Sequence, residues 1–535
     1  MTRREGAHLA LLAALGAFLL GWGIGSRPLG NPDESRYAEI AREMWESSDW
    51  IVPRLVTIPY VDKPPLLYWL TAPLIGLLGP GELAPRLVSF ASAMAVLVMI
   101  YFAARRRSGH EVGMWSGAIW ATSALPLVLA HMVSIDMVLT ALVTGSVLLF
   151  RRALEDGGGG ALPGWALAGL AFLAKGPVGF VLAALAGAAF AVAHRRVEWR
   201  RLSIPLGVPL CLAISIPWFV ALQVMYPPFF GRFFLHENLG GFFTADVHHP
   251  RPILAASGYA LAGFLPWTVL LLPAAWRRRF EWKDPDQRFL LLWALMTVAF
   301  FTLSAAKLPT YLLPAMPAMA LWGGGLLART QGSRADALAY GAILVAGAAT
   351  AVGFAVSPGI RTHWGLIPFP SAGIVAAALV AGGAAIGVAS LLRGHSKTAA
   401  AAVIGALAIA LIPAHHAVRV AIDDVRSTRE LVRRHRELLQ GRPVLIMGRS
   451  DYSTSYYLRR PVHFGHRANE LEFGSILEPT DRWALGPAEV EEFFGRHPRS
   501  AALVYRDDFP DFGSRHLGLR EVDRLGPTIL FTADR

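Results

Sequence analysis

Cysteine is almost absent from this chain. Its 535 residues include one, Cys211, inside an apolar run. That excludes an intrachain disulfide framework and any multi-cysteine metal site. Charge is scarce too. Only 16% of residues are charged, against about 25% in soluble domains, while 54% are hydrophobic and the mean hydropathy is +0.44. This balance excludes an ordinary soluble enzyme and indicates a polytopic membrane protein. Dense ionisable groups in the middle of apolar runs are missing, as is any internal repeat, and both absences disfavour a lipid or sugar transporter of the alternating-access kind. The net charge of +12 reads as arginine-rich cytoplasmic loops, not as a nucleic-acid surface.

What is present is a series of apolar runs near the roughly twenty residues a bilayer core requires. They lie at about 7–25, 82–104, 112–130, 134–150, 161–175, 177–193, 203–222, 253–275, 288–304, 310–328, 337–356, 371–392 and 398–418. The expectation is therefore about thirteen transmembrane helices. The first reads as an uncleaved span, because no small-x-small cleavage site follows its apolar core. Basic clusters occur at Arg3–Arg4, Arg105–Arg107, Arg151–Arg152, Arg195–Arg201, Arg277–Arg279 with Lys283, Arg329–Arg334 and Arg393–Lys397. Thirteen alternating spans put all seven on one side, the cytoplasm by the positive-inside rule. The N-terminus is then cytoplasmic, and residues 26–81 and everything after about 419 face the periplasm of a bacterial inner membrane.

Residues 1–418 thus read as a transmembrane domain and 419–535 as a small periplasmic α/β domain. In the latter, STRELVRRHRELL and AEVEEFFGRH predict helices, and PVLIMG, AALVYR and TILFTA predict strands. The first outward loop contains Asn31–Trp69, about forty residues rich in charge, and loops of that length are usually functional. Its composition predicts juxtamembrane helices. Asp33 is placed to cap a helix running to about Ser47, with Tyr37, Ile40, Ala41, Met44 and Trp45 on an apolar side and Glu39, Arg42, Glu43 and Glu46 on a polar one, the pattern of an interfacial helix. Pro64–Leu78 is apolar but short for a span, so it lies on the membrane or re-enters it.

Ionisable groups at a membrane mark functional sites. On the outward side they are Asp33–Glu34, Asp62–Lys63, Asp136, Lys175, the loop His236–Arg251, and Lys307 with Tyr311. Asp33 and Glu34 suit a general base or an orienting carboxylate, and equally a helix N-cap. Asp62 and His236 suit a divalent cation, or else a simple ion pair with Lys63 and a surface histidine. Lys63, just before Pro64–Pro65, suits a phosphate at a helix N-terminus. Lys307 repeats that theme beside the Tyr311 phenol. For both lysines the alternative is snorkelling to headgroups.

PDESRYAEIAREM, DWIVPRL, VDKPPLLYW, APRLVSF, SIDMVL, AKGPVGF, FFLHENLGGF and KLPTYLLP follow one another in order over residues 10–330. This series resembles the bacterial aminoarabinose transferase family, which are polyprenyl-phosphate-dependent C-type membrane glycosyltransferases related to protein mannosyltransferases. The resemblance implies transfer of a sugar, such as 4-amino-4-deoxy-L-arabinose, from undecaprenyl phosphate to lipid A or another envelope acceptor. It implies Asp33, Glu34 and Asp136 as the acidic groups of catalysis. It implies Lys63, Tyr311, Arg36, Tyr37, Lys307 and Lys175 around the donor phosphate, and Asp62 with His236 as ligands of a divalent metal (zinc, magnesium or manganese). Two positions depart from the family pattern: Asp62 stands for its glutamate, and Gly241 for an arginine beyond the loop histidine. Arg232, Arg251 and His248–His249 are the basic residues near enough in sequence to replace that arginine. A protein O-mannosyltransferase-like enzyme and a surface-polysaccharide glycosyltransferase share the same implied fold and donor type.

Overall fold

The structure is a computed structural model. It describes all residues except 1, 157–159, 195–196, 244–250, 278–283, 330–332, 358, 363–364, 369–370, 466–468, 482–486, 507–517 and 535. Arg195–Arg196, His248–His249, Arg278–Arg279 and Lys283 therefore lie outside the described residues.

Helices dominate. In chain order they are α1 (Arg3–Gly21), α2 (Asp33–Ser47), α3 (Leu66–Leu78), α4 (Leu83–Ser108), α5 (His110–Thr122), α6 (Ala124–Ala130), α7 (Ile135–Asp156), α8 (Ala161–Lys175), α9 (Pro177–Ala193), α10 (Ile204–Met225), α11 (Gly241–Phe243), α12 (Ala255–Gly263), α13 (Trp267–Arg277), α14 (Pro285–Leu303), α15 (Met316–Arg329), α16 (Arg334–Val356), α17 (Ser371–Leu392) and α18 (Ser396–Arg426). Among the described residues nine helical segments are long and apolar enough to cross a membrane. The number is eleven if the bent pairs α5–α6 (64°) and α12–α13 (99°) each count as one. The other two of the thirteen apolar runs expected to span form α8 and α9, which have 15 and 17 residues, short of the length of a full span. Gly176 separates them at φ +68°, a conformation that favours glycine.

The chain divides into two units. The helical unit comprises residues 1–22, 86–352 and 374–414. Its core holds the fully buried Trp120, Trp267 and Trp293. Two indole N–H groups are satisfied internally: Trp120 donates to the Ala93 carbonyl at 3.0 Å and Trp267 to Thr122 Oγ1 at 3.0 Å. α15 lies against α5 so closely that a Cβ at Gly324 would stand 2.7 Å from the Ser116 nitrogen, the small-residue packing of membrane helices.

The loop-and-sheet unit comprises residues 23–85, 353–373 and 415–535. Its sheet has the order β6-β5-β7-β9-β8, preceded by the short hairpins β1–β2 (Arg54–Leu55, Ile58–Pro59) and β3–β4 (Gly359–Thr362, Gly365–Pro368). β5 (Val444–Met447) pairs in parallel with β6 (His463–Phe464) and β7 (Arg499–Tyr505). β7 and β8 (Leu519–Leu525) pair antiparallel with β9 (Thr528–Asp534). Every residue of β5 is buried, which explains its unbroken VLIM run. α19 (Arg429–Arg434), α20 (Arg436–Gln440), α21 (Ser453–Leu458), α22 (Asn469–Leu477) and α23 (Pro487–Arg496) complete the unit. α23 buries Val490, Phe493 and Phe494 at the spacing of one helical face.

Within this unit the long loop is tied to the C-terminal segment. The Asn31 amide donates to Asp451 at 2.6 Å and Ser453 at 3.0 Å. Its oxygen accepts from the backbone N–H groups of Tyr452 and Ser453 at 3.1 and 3.0 Å. Arg54 holds Glu478 through two bonds of 2.7 and 3.0 Å, and Arg429 holds Glu82 at 2.8 Å.

Candidate active site

In the loop-and-sheet unit α2 starts at Asp33 with Pro32 as its N-cap residue and no side-chain cap. The capping role expected of Asp33 is therefore corrected: Asp33 is the first helical residue. Its carboxylate is 58% exposed and pairs with Arg36 one turn on. Glu34 differs. It is buried and accepts from the Gly30 N–H at 3.1 Å, so it closes the approach to the helix. Of the adjacent acids, Asp33 is the one open to a reactant.

Arg36 is held on three sides. It pairs with Asp33, pairs with Glu470 of α22 at 3.1 Å, and lies over the rings of Tyr37 and Tyr60 at 5.0 and 5.8 Å. Burial pushes the Tyr60 phenol well up, against the pull of the Arg36 charge, so it stays a neutral hydrogen-bond donor. The fully buried Tyr68 hydroxyl has no hydrogen-bond partner among the described residues, and its ring lies 6.2 Å from that of Tyr37. Asp62 is buried. Lys63 is half-buried and, among the described residues, its ammonium has no ion-pair or hydrogen-bond partner. It stands three residues before the first residue of α3, Leu66. An unpaired cation beside a helix N-terminus is suited to an anion.

The polar side expected for α2 is also corrected. Glu39, Arg42 and Glu43 are buried. The Arg42 guanidinium holds Glu39 at 2.7 and 2.8 Å and also bonds Glu46, while Ser455 donates to Glu39 at 2.5 Å. The face is covered by α21, more than 400 positions away in sequence. Glu43 accepts from the Thr57 N–H at 2.9 Å. Burial pushes its carboxyl well up, Glu39 adds to this, and Arg42 opposes it. A folded pKa above the unfolded one means that the group's stabilising contribution is full below the ordinary carboxylate range and is lost as pH rises through the folded value. Glu43→Gln keeps the acceptor for Thr57 and removes the titration. It should melt above wild type near neutral pH, with the difference shrinking as the buffer is acidified. A difference independent of pH would contradict this.

In the helical unit Asp136 and Lys175 form an ion pair. Asp136 lies in the first turn of α7 and Lys175 in the last turn of α8, so each charge complements its helix dipole. The Lys175 ammonium also sits 4.0 Å above the centre of the Tyr311 ring, within cation–π range. Tyr311 lies in the 3₁₀ turn Pro309–Ala315. Lys307, expected beside that phenol, is buried and donates instead to the Ser304 carbonyl, with the Arg251 carbonyl at 3.5 Å.

His236 rides on a π-helix, Gly231–Gly240, a geometry frequent at functional sites. Its side chain is half-exposed. Nδ1 faces Arg232 at 3.1 Å, and Arg232 is held by Glu237 at 2.8 Å, so Nε2 is the atom left for a cation. Asp62 belongs to the loop-and-sheet unit and His236 to the helical one. Gly241 opens α11 and supplies no cation.

Sequence reasoning missed Glu470, Tyr60 and Tyr68. The two tyrosines bracket the Asp62-Lys63-Pro64-Pro65 motif, and that bracketing was the available signal. Nothing in the sequence ties Glu470 to Arg36.

Three comparisons bear on these residues. A family model described as dolichyl-phosphate-mannose-protein mannosyltransferase matches residues 62–220. A Pectobacterium atrosepticum protein named undecaprenyl phosphate-alpha-4-amino-4-deoxy-L-arabinose arabinosyl transferase is 31% identical over 319 residues, covering 57% of this chain and 56% of that protein. The chain thus spans little more than half the length of that relative. An Erwinia tasmaniensis protein of the same name is 29% identical over 526 residues, 93% of this chain and 87% of its own. The crystal structure of ArnT from Cupriavidus metallidurans bound to undecaprenyl phosphate superposes with a TM-score of 0.86 at 25% identity, covering 98% of this chain and 97% of that one.

Proposed function

From the membership of this chain in the aminoarabinose-transferase-like family of polyprenyl-phosphate-dependent membrane glycosyltransferases, we propose that it moves a sugar from undecaprenyl phosphate to a cell-envelope acceptor. The observation that carries this reading is the fold likeness over 98% of the chain to a protein crystallised with undecaprenyl phosphate. The names of the relatives support 4-amino-4-deoxy-L-arabinose as the sugar, and a lipid A phosphate is the acceptor we propose from the family resemblance of the sequence. The mannosyltransferase description of the matching family model supports a second reading, transfer to a protein hydroxyl.

In the proposed reaction an acceptor oxygen attacks the anomeric carbon as the bond from that carbon to the carrier phosphate breaks. The bonding pair leaves on the phosphate, and one displacement inverts the centre. The sugar gains oxocarbenium character while negative charge grows on the leaving group. Fixed positive charge in a poorly hydrated site stabilises that change. The loop-and-sheet unit contributes Lys63 for the phosphate and Asp33 to orient or deprotonate the acceptor, with Arg36 and Tyr37 steadying Asp33. Glu34 supports the turn before α2. Within the helical unit the candidate groups are the Asp136–Lys175 pair and Tyr311, with Lys307 tied to the Ser304 carbonyl.

Nine long helices, two bent pairs and the short α8 and α9 coincide with the thirteen apolar runs, which supports thirteen crossings with the arginine clusters in the cytoplasm. Residues 419–535 would then form the small periplasmic α/β domain.

A divalent cation on a carboxylate such as Asp62 or an imidazole such as His236 would supply further positive charge for the leaving phosphate when bound. The carboxylate and imidazole fit zinc, magnesium or manganese. Chelation followed by dialysis should remove most turnover, and added cation should restore it. Unchanged turnover in the chelated protein would remove the metal from the reaction. Transfer itself is tested by mass spectrometry of lipid A and surface glycans from cells lacking the protein. A sugar missing from one of them identifies the acceptor, and an unaltered envelope contradicts the proposal.

A further inference from the structure

The C-terminal segment brings a carboxylate to the start of α2. Glu470 lies in the first turn of α22. Its Oε1 accepts from Arg36 Nη1 at 3.1 Å and from the Tyr452 hydroxyl at 3.0 Å. Tyr452 is fully buried, and burial pushes its phenol well up, so it stays protonated and donates. One turn beyond Glu470, on the same face of α22, Gly474 seats the helix on β2: a Cβ there would collide with the Pro59 carbonyl oxygen. Just past the helix, Glu478 is held by Arg54 at 2.7 and 3.0 Å. The segment 470–478 is thus fastened at three points, and Glu470 is a fixed group.

Arg36 divides its donors between two anions. Nη2 bonds Asp33 Oδ1, and Nη1 bonds Glu470. Nε is buried and makes no hydrogen bond among the described residues, so the two terminal nitrogens alone anchor the group. The contact with Asp33 is therefore a one-point contact. Asp33 Oδ2 accepts no hydrogen bond among the described residues. Arginine–carboxylate pairs frequently take a two-point fork instead, which occupies both oxygens. Glu470 holds the nitrogen that such a fork on Asp33 needs.

We propose that Glu470 is a positioning residue for the transfer reaction: by holding Arg36 Nη1 it restricts Arg36 to one oxygen of Asp33 and leaves the other open to the acceptor. The inference rests on the role given to Asp33 in the proposed function. Without Glu470, Nη1 is released, and the guanidinium turns to close the fork on Asp33. Both oxygens are then occupied, and the acceptor meets no free one. Tyr452 acts one step further back, by bracing Glu470.

The test uses the full-length protein in detergent and reads Asp33 in two ways: by turnover, and by coupling of its carboxylate to an amine with a water-soluble carbodiimide, followed by peptide mass spectrometry. Glu470→Ala should lower both about tenfold, as for residues coupled in one hydrogen-bond network. Glu470→Gln removes the charge but keeps an oxygen for Arg36 and Tyr452, and should stay near wild type. Arg36→Lys/Glu470→Ala decides the matter. An ammonium is a point charge that cannot form the fork, so the double variant should label and transfer faster than Glu470→Ala alone. A purely structural Glu470 predicts the reverse, since the double variant loses a second contact. Tyr452→Phe removes only the brace and should lower labelling about threefold, the weight of one hydrogen bond; it serves as the readout if Glu470→Ala does not fold. Asp33 labelling unchanged in Glu470→Ala and Tyr452→Phe, or a double variant slower than Glu470→Ala, would overturn the proposal. Labelling needs no substrate, so a wild type that follows this labelling pattern but transfers nothing contradicts the transfer reaction and not the hold of Glu470 on Arg36.

Discussion

Lys63→Met is expected to lower turnover at least about a hundredfold while leaving the melting temperature unchanged. Removing one fixed group that stabilises transition-state charge costs about 10²–10³ in rate. The absence of a structural cost follows from the position of the side chain. Lys63 makes no ion pair or hydrogen bond among the described residues, so its removal leaves no buried partner unsatisfied. The preceding Asp62 is buried and the following Pro64 and Pro65 are buried, which fixes the backbone around it whatever the side chain. Lys63→Arg keeps the charge but spreads it over a planar fork, and should retain part of the activity. Turnover assays with saturating donor, beside thermal melts of both variants, check this. A Lys63→Met enzyme with normal turnover would remove the lysine from the donor-phosphate role.

Asp33→Asn is expected to abolish measurable transfer. The substitution preserves shape and removes only the charge and the capacity to accept a proton, so the loss should reach about 10²–10⁴, the contribution of a positioned acid or base. Asp33 is largely exposed, and Arg36 keeps Glu470 as its second anion, so the fold should survive. Glu34→Gln provides the contrast. Its carboxylate caps a turn, and that variant should lose stability before it loses chemistry. The acceptor class sharpens the result. A hydroxyl acceptor requires proton removal, so Asp33→Asn should be more damaging for it than for an acceptor phosphate, which is already ionised. Equal turnover of Asp33→Asn and wild type would exclude the aspartate from the mechanism.

The helices were legible because length and hydropathy alone define a membrane-crossing segment. The limit came at α8 and α9, where Lys175-Gly176-Pro177 interrupts one apolar stretch into two short pieces. In the C-terminal segment, β5, β7 and β9 announced themselves as apolar runs amid charge. β8 did not, because LREVDRL is an edge strand whose residues are mostly exposed, and its composition resembles a surface helix. α2 was found by its period, but its charged face was misjudged. Charge reads as exposure in a sequence, and only the return of the chain at Tyr452–Leu458 buries Glu39 and Arg42. The same distance in sequence hid the site's partners. Asp136, Lys175 and Tyr311 were each visible as ionisable or phenolic groups at the ends of apolar runs, yet their mutual contact depends on helix packing that no local pattern encodes.

The most direct measurement is donor dependence with purified protein. The chain, supplied with an undecaprenyl-phosphate-linked sugar and an acceptor lipid and with no nucleotide sugar present, should release undecaprenyl phosphate and glycosylated acceptor in equal amounts. Lys63→Met and Asp33→Asn should release neither. Product formed only from a nucleotide sugar, or movement of the intact lipid-linked sugar across vesicles without transfer, would contradict the account.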